Sequence, residues 1–173
     1  DLSARADAAG RLVAVAFNLR FHPGPETVAA VVASGEIGRP LTAQVAFGSY
    51  LPDWRPGTDY RESYSARAEL GGGILLDAIH ELDYATWILG DAADVDARLA
   101  RLSDLELDVE DAAIVTTRHA SGALSTITLD YLDRAYHRGC RIAGSEASVA
   151  WSWEGDVVQV LGSDTAREVT APS

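Results

Sequence analysis

Two ionisable side chains lie three residues apart in the apolar stretch of residues 70–90, LGGGILLDAIHELDYATWILG. If this stretch is helical, Asp77 and His80 are neighbours, because residues three apart share one side of a helix. An imidazole beside a carboxylate, with an ordinary pKa of about 6.5, suits general-base chemistry near neutral pH. The pair is therefore a candidate for catalysis. A helix-stabilising acid and a paired surface histidine would explain each residue taken singly.

The same stretch predicts the helix that would position this pair. On a helix over residues 71–90, Glu81 and Tyr84 fall on the side of the Asp/His pair. The three glycines at its start remove side chains, so that another backbone or a flat ligand can approach closely. The opposite arc is apolar and predicts a buried stripe. Its members are Ile74, Leu75, Ala78, Ile79, Leu82, Ala85 and Leu89.

Residues 50–70 have no periodicity but are rich in aromatic and arginine side chains. Aromatic rings stack on sugars, and guanidinium groups form paired hydrogen bonds with anions or hydroxyls, so such a segment is typical of polar-ligand recognition. The equal alternative is a solvated loop whose rings pack against the core. The residues concerned are Trp54, Arg55, Tyr60, Arg61, Tyr64 and Arg67.

Composition bounds the possible partners of the 173-residue chain. Its net charge is −12, from 14 arginines, no lysine and 26 acidic residues, and it has no basic cluster, so no nucleic-acid partner is expected. No run is apolar enough for a membrane span, so no membrane association is expected. The lone Cys140 excludes an internal disulfide and fits a cytoplasmic location. No metal site is expected, and the acidic segment 104–112 is interpreted as a solvated turn.

The first residues predict the end of a preceding domain. Residues 1–10 favour a helix that closes on Gly10, and the apolar run 11–17 favours a buried strand. The chain has no methionine and no G-x-G-x-x-G fingerprint, which indicates a fragment of a longer polypeptide without a dinucleotide loop.

The rest of the chain predicts an α+β fold with an open, mostly antiparallel sheet and helices on one face. The other face would show Thr116 and Thr126 among apolar residues, so we expect a homo-dimer or tetramer packed through it. Residues 163–173 are interpreted as a polar tail. A short helix is predicted over 26–34, and strands over 41–50, 94–102, 113–119, 123–132, 137–144, 148–153 and 157–163.

The stretch GGGILLDAIHELDYATWILG closely resembles the GGG…D…HxxD signature of the glucose–fructose oxidoreductase / inositol dehydrogenase (Gfo/Idh/MocA) family. The segments VAFNLRFHP, SGEIGRP, VEDAAIV and SGAL also follow the family's order, up to about residue 150. Members are NAD(P)-dependent dehydrogenases and reductases that join a Rossmann domain to a C-terminal domain with a large open sheet. The resemblance implies that residues 1–20 are the remnant of the Rossmann domain and residues 21–173 the substrate-binding and oligomerisation domain.

The resemblance also implies the site. His80 matches the histidine that exchanges the hydroxyl proton, and Asp77 matches the acid that assists it. Gly72 and Gly73 are expected to contact NAD or NADP, which the preceding domain would mainly bind. Most members place the histidine four residues after the aspartate, whereas here the gap is three. The expected substrate-binding residues are Arg20, Trp54, Tyr60, Arg61 and Tyr64.

The resulting hypothesis is the substrate-binding domain of an NAD(P)-dependent oxidoreductase acting on a sugar-like or inositol-like polyol. The full-length protein would be the enzyme, and this chain alone is expected to be inactive. The alternative is a catalytically silent binding or oligomerisation module of the same fold, favoured by the short Asp77–His80 gap and the missing lysine. A metal-dependent lyase is a third interpretation.

Overall fold

The computed structural model describes residues 1–163 and 165–169 and contains one eight-stranded sheet. The helices are α1 (Leu2–Ala8), α2 (Pro23–Ala33), α3 (Ile74–Asp77) and α4 (Ile79–Leu89). The strands are β1 (Pro40–Gly48), β2 (Ala92–Ala100), β3 (Ala112–His119), β4 (Leu124–Asp130), β5 (His137–Gly144), β6 (Ser148–Ser152), β7 (Val157–Leu161) and β8 (Ala166–Val169). The predicted α+β fold with an open, mostly antiparallel sheet is confirmed.

The strands lie in the order β2-β3-β4-β1-β5-β6-β7-β8. β1 pairs with β4 in parallel, and every other pair in this sheet is antiparallel. Because β1 and β4 run the same way, the chain leaves both strands at one edge of the sheet, and β5 begins there. The loops that follow β1 and β4 therefore meet at this edge, which is where the candidate site lies.

The core lies between one face of the sheet and the helices. Alternation along β3 and β4 buries Val115 and Ile127, while α2 contributes Val28 from the helical layer. The cross-strand pair Thr116 and Thr126 is exposed on the other face, as predicted. Large apolar side chains share that open face, since Ile114 is 50% exposed and Leu124 is 53% exposed.

The strand predicted over residues 11–17 is wrong. The helix before it forms as α1, and Gly10 follows with a left-handed φ of 61°. Residues 11–17 are irregular, and residues 11–16 are exposed, with Leu12 94% exposed. None of the described strands pairs with this run, and without a neighbouring strand its backbone groups have no ladder to join.

The single helix predicted over residues 71–90 is two helices, α3 and α4, with Ala78 between them at φ −101° and ψ 30°. This break changes the phase of the second helix relative to the first. Glu81 and Tyr84 were expected on the side of the Asp/His pair, opposite the buried stripe, but they are buried, at 0% and 1% exposure. Of the predicted stripe, Ile74, Ala78, Ala85 and Leu89 are buried, while Leu75, Ile79 and Leu82 are partly buried.

The acidic segment 104–112 is only partly the solvated turn that its composition predicted, because Asp104, Glu106 and Asp108 are exposed in a loop whereas Asp111 is not. Asp111 is fully buried and accepts hydrogen bonds from the backbone N–H groups of Leu102 and Ser103, at 2.8 and 2.9 Å. Its hydrogen bonds lower the pKa of Asp111, whereas burial opposes this effect. The carboxylate therefore fixes its own loop, since it satisfies N–H groups that the sheet leaves unpaired.

The polar tail predicted over residues 163–173 is partly a strand, because β8 pairs with β7. Residues 164 and 170–173 of that prediction lie outside the described residues. Within residues 1–163 and 165–169, no helix has the length and apolar character needed to cross a membrane. The same residues contain no group of three or more His, Cys, Asp or Glu side chains arranged to hold a metal ion.

Candidate functional site

A cavity of about 560 Å³ opens at the edge of the sheet where β1 ends and β5 begins. It lies among the end of β1, the loop after it, the last residue of α3 and the connection from β4 to β5. Its walls combine aromatic rings, three arginines and two aspartates. The lining residues are Phe47, Ser49, Tyr50, Asp53, Trp54, Arg55, Asp77, Arg134, Tyr136 and Arg138.

Asp77, one of the two predicted catalytic residues, lines this cavity at the end of α3. The buried Tyr131, which follows β4, donates its hydroxyl hydrogen to Oδ2 of Asp77 at 2.6 Å. Burial and this hydrogen bond raise the pKa of Tyr131, so its hydroxyl remains a donor. Tyr131 therefore fixes one carboxylate oxygen of Asp77. Tyr131 was not predicted, because nothing in the sequence separates it from an ordinary core tyrosine.

His80 lies beyond the break at Ala78, in the first turn of α4. Its ring meets Phe17 edge to face, with centroids 6.2 Å apart, and its buried Nδ1 has no hydrogen-bond partner among the described residues. Burial lowers the pKa of His80, Arg138 lowers it further, and Asp83 raises it. The imidazole is therefore neutral at pH 7, which is the form that accepts a proton.

Asp77 and His80 are not joined in the way that a continuous helix would join them. No hydrogen bond or ion pair connects the two residues in the described part of the chain. Asp77 lines the cavity, whereas His80 is not among the lining residues. The non-helical Ala78 accounts for the difference, because the i, i+3 relation holds only along an unbroken helix.

Arg20, predicted to bind substrate, anchors its own segment to α4. Its Nε and Nη2 donate to the two carboxylate oxygens of Asp83 at 2.8 and 2.7 Å. The guanidinium carbon also lies 5.7 Å from the centre of the Trp87 ring. Because Asp83 is three residues after His80, this bidentate pair fixes the segment that carries Phe17 beside the imidazole.

The predicted aromatic and arginine loop divides into a cavity part and a surface part. Trp54 lines the cavity, packs edge to face on Tyr131 at 5.2 Å between centroids, and donates to the backbone oxygen of Ser49 at 3.2 Å. The other three predicted residues are outside the cavity lining. Tyr60 accepts a backbone hydrogen bond from Glu106, Arg61 pairs with Asp59 and Glu106, and Tyr64 lies 5.0 Å from the Arg55 guanidinium.

The buried Gly72 and Gly73 are enclosed by the chain itself. A Cβ on Gly72 would lie 2.2 Å from the backbone oxygen of Tyr64, and one on Gly73 would lie 2.5 Å from the Glu110 carboxylate. Gly73 also has φ 110°, which favours glycine. The close approach of another backbone, expected from the sequence, is therefore present. The cofactor contact of these glycines stays a prediction.

A buried ion pair, which sequence reasoning missed, stands behind the cavity wall. Arg138 Nε lies 2.8 Å from Glu81 Oε1, with the two side chains 13% and 0% exposed. Burial raises the pKa of Glu81 to about 7, although Arg138 opposes that shift. Glu81 thus fixes the guanidinium of Arg138, which lines the cavity and lies 4.4 Å from the centre of the Phe47 ring.

We expect the Glu81→Gln variant to lose the part of the pH dependence of stability that Glu81 supplies. Because burial raises the pKa of Glu81 from 4.5 to about 7, the native state binds this proton more tightly than the unfolded state does. The free energy of unfolding of the wild type should therefore fall, relative to the variant, by on the order of 3 kcal/mol as the pH rises from 5 to 8. Urea unfolding at a series of pH values measures this difference.

The exposed Glu146 provides the control for that measurement, since Glu146→Gln should leave the pH dependence unchanged. If the free energy of unfolding changes with pH in the same way for the wild type and Glu81→Gln between pH 5 and 8, the raised pKa of Glu81 is contradicted.

Comparison with known proteins places this site in a family. A family model described as the GFO/IDH/MocA C-terminal domain matches residues 26–150. D-apiose dehydrogenase of Rhizobium rhizogenes is 34% identical over 115 residues, which cover 66% of this chain and 31% of that protein. 1,5-Anhydro-D-fructose reductase of Ensifer adhaerens is 26% identical over 143 residues, covering 82% of this chain and 41% of that protein.

Solved structures agree with this assignment. An oxidoreductase from Agrobacterium radiobacter in complex with NAD+, L-tartaric acid and magnesium matches with a TM-score of 0.77 and 27% identity, over 98% of this chain and 49% of that chain. Levoglucosan dehydrogenase in complex with NADH and levoglucosan matches with a TM-score of 0.76 and 25% identity, over 91% and 46% of the two chains. The chain thus spans between about a third and a half of these relatives. It belongs to the GFO/IDH/MocA family of oxidoreductases and comprises the C-terminal domain of that family.

Proposed function

We propose that the full-length protein is an NAD(P)-dependent oxidoreductase that transfers hydride between nicotinamide and a sugar-like or inositol-like polyol. In this proposal, residues 21–173 supply substrate binding and subunit contacts, and residues 1–20 are the end of a preceding Rossmann domain. Relatives named as D-apiose dehydrogenase, 1,5-anhydro-D-fructose reductase and levoglucosan dehydrogenase support this substrate class. The single buried thiol of Cys140 is consistent with a cytoplasmic location.

The observation that carries the proposal is the cavity itself. It combines aromatic walls from Trp54 and Tyr136 with a carboxylate, Asp77, that is oriented by a buried hydroxyl. Aromatic faces suit the C–H faces of a polyol, while a fixed carboxylate accepts hydrogen bonds from its hydroxyl groups. A volume of about 560 Å³ accommodates a monosaccharide-sized ligand, since small-molecule sites span roughly 300–1,000 Å³.

Within this proposal His80 is the general acid/base and Asp77 a carboxylate that contacts the reacting hydroxyl. The lowered pKa of His80 keeps its imidazole neutral and able to accept the hydroxyl proton. Trp54 forms part of the cavity wall that faces the substrate. The other predicted substrate contacts stay predictions: Arg20, Tyr60, Arg61 and Tyr64. Arg20 would contact the substrate from its position against α4, the helix that carries His80.

Two observations support a cofactor that is held mainly outside this chain. The space beside Gly72 and Gly73 is filled by backbone oxygens and the Glu110 carboxylate, and the sequence has no glycine-rich phosphate loop. When bound, the nicotinamide supplies the hydride chemistry. We accordingly propose that NAD or NADP is held mainly outside this chain, and that the chain alone is inactive.

A catalytically silent binding module is the second candidate. One observation favours it, because His80 is not among the residues that line the cavity holding Asp77. Full-length protein assayed at 340 nm with NAD+ or NADP+ and a panel of sugars and inositols separates the two. We expect polyol-dependent reduction of the cofactor. Folded protein that binds polyols without turnover on any of them, in either direction, would overturn the enzymatic proposal.

We propose that the full-length protein is a homo-dimer or tetramer packed through the open sheet face. Replacing Thr116 and Thr126 together with aspartate puts two like charges opposite each other on that face. We expect the variant to have the mass of a monomer by light scattering, because unpaired charges at the centre of an interface are costly to desolvate. Thr165→Asp, exposed and outside the paired strands, should leave the mass unchanged. An unaltered mass of the double variant would contradict the sheet-face interface.

A further inference from the structure

The cavity concentrates positive charge in a strongly acidic chain. Arg55 comes from the loop after β1, Arg134 from the connection between β4 and β5, and Arg138 from the start of β5. The chain as a whole carries a net charge of −12. Three guanidinium groups therefore meet two carboxylates, those of Asp53 and Asp77, at one cavity of a chain whose overall charge is strongly negative.

Each of these guanidinium groups lies over an aromatic ring. The distance from the guanidinium carbon to the ring centre is 3.5 Å for Arg134 over Tyr50, 5.0 Å for Arg55 over Tyr64 and 4.4 Å for Arg138 over Phe47. Stacking uses the flat face of the guanidinium, while its N–H donors lie in the plane. The rings thus orient the arginines. Arg55 already donates from Nη2 to the Tyr64 hydroxyl at 3.3 Å, and its other in-plane donors are left for another partner.

Arg55 and Arg134 form no ion pair with any carboxylate of the described residues. Several nearby acids already have partners. Asp77 accepts from a tyrosine hydroxyl, Asp133 pairs with a histidine ring at 3.0 Å, and Asp130 accepts from two backbone N–H groups. Arg55 and Arg134 are both exposed at the cavity, and neither forms an ion pair with the cavity carboxylates Asp53 and Asp77.

Arg138 differs from the other two because Glu81 compensates its charge. The Glu81 carboxylate lies 2.8 Å from Nε and 3.5 Å from Nη2 of Arg138. Asp53 is the other cavity carboxylate, and it is exposed at the rim. Arg134 and Arg55 are therefore the cavity arginines that form no ion pair in the described structure.

We propose that Arg134 and Arg55 bind an anionic group, a carboxylate or a phosphate, on the polyol. Arg138, whose charge is paired with Glu81, would add a hydrogen-bond donor to the same group. This inference rests on the proposed function. It narrows the substrate class from polyols in general to polyols that carry an acid group or a phosphate. Guanidinium groups match both anions, because their forked donors bind two oxygens at once. Asp77 and the aromatic walls remain for the hydroxylated part of the ligand.

Binding of three probes to the full-length protein tests this inference: D-gluconate, D-sorbitol 6-phosphate and D-sorbitol, measured by calorimetry at fixed ionic strength. The wild type should bind at least one of the two anions at least tenfold more tightly than sorbitol. Arg134→Ala and Arg55→Ala should each lower the affinity for that anion by about 10- to 100-fold, which is the effect of losing one or two charge-assisted hydrogen bonds. The affinity for sorbitol should change little. The tighter anion identifies the group.

Arg39→Ala is the matched control, since this exposed arginine precedes β1 and lies at the opposite end of that strand from the cavity. It should leave all three affinities unchanged. Equal affinity for sorbitol and both anions, equal weakening of all three by the variants, or no binding of any probe would overturn the inference. Tight anion binding without turnover would instead overturn only the oxidoreductase proposal, because calorimetry does not depend on catalysis.

Discussion

Replacement of His80 by alanine in the full-length protein should lower kcat on its polyol substrate by about 10²- to 10⁴-fold, the usual effect of losing a general acid/base. Asp83, which acts on the pKa of His80, is committed to Arg20 and is therefore not free to replace the neutral imidazole as a proton acceptor. Steady-state kinetics with saturating cofactor measure the loss. Added imidazole should restore part of the rate.

The pH dependence of the wild-type enzyme provides a second check on the same residue. Because burial lowers the pKa of His80, the acidic limb of kcat should lie below about pH 6.5, and it should vanish in His80→Ala. His137→Ala, an exposed histidine paired with Asp133, should keep near wild-type turnover. If His80→Ala also keeps near wild-type turnover, His80 is not the acid/base.

Replacement of Gly72 by alanine should lower the free energy of unfolding by about 3 kcal/mol, the upper part of the range for overpacking. The added Cβ would lie 2.2, 2.7 and 2.9 Å from the backbone oxygens of Tyr64, Ser65 and Arg67. Backbone atoms in a buried loop cannot move aside as a flexible side chain can. Urea unfolding measures the change.

Gly71→Ala is the matched control for this overlap. Gly71 has φ 79°, but a Cβ there would meet no atom within 4 Å, so only the backbone conformation is penalised, by about 1 kcal/mol. The difference between the two variants isolates the effect of the close backbone approach. Equal destabilisation by the two would contradict the tight packing of the loop on Gly72.

The strands were predictable because a half-buried strand carries its own signal. Alternating side chains in β3 and β4 bury Val115 and Ile127 and expose Thr116 and Thr126, a pattern written in adjacent residues. The hairpin between them follows from a short polar turn. The run at 11–17 has an equally apolar sequence but no partner strand among the described residues, which shows that strand pairing depends on more than local pattern.

The helix predicted over residues 71–90 shows where local periodicity is insufficient to predict structure. A period of 3.6 residues assumes constant backbone angles, and Ala78 departs from them without any glycine or proline to indicate it. The prediction therefore placed Glu81 and Tyr84 opposite the buried stripe, although tertiary contacts with β5 bury both. Burial of Glu81 is offset by Arg138, which is 57 residues away in sequence.

The sequence alone determined strands β1 to β7, the glycine requirement beside the loop and the family, because each depends on residues close together in the chain. Only the tertiary structure decided that Asp77 faces the cavity while His80 packs beside Phe17, and that Tyr131 holds the Asp77 carboxylate across 54 positions. It also brought three arginines together at one cavity, one from the loop after β1 and two from residues 134–138 before and at the start of β5. Contacts of this kind depend on how the carboxyl ends of β1 and β4 meet, which no local pattern of residues records.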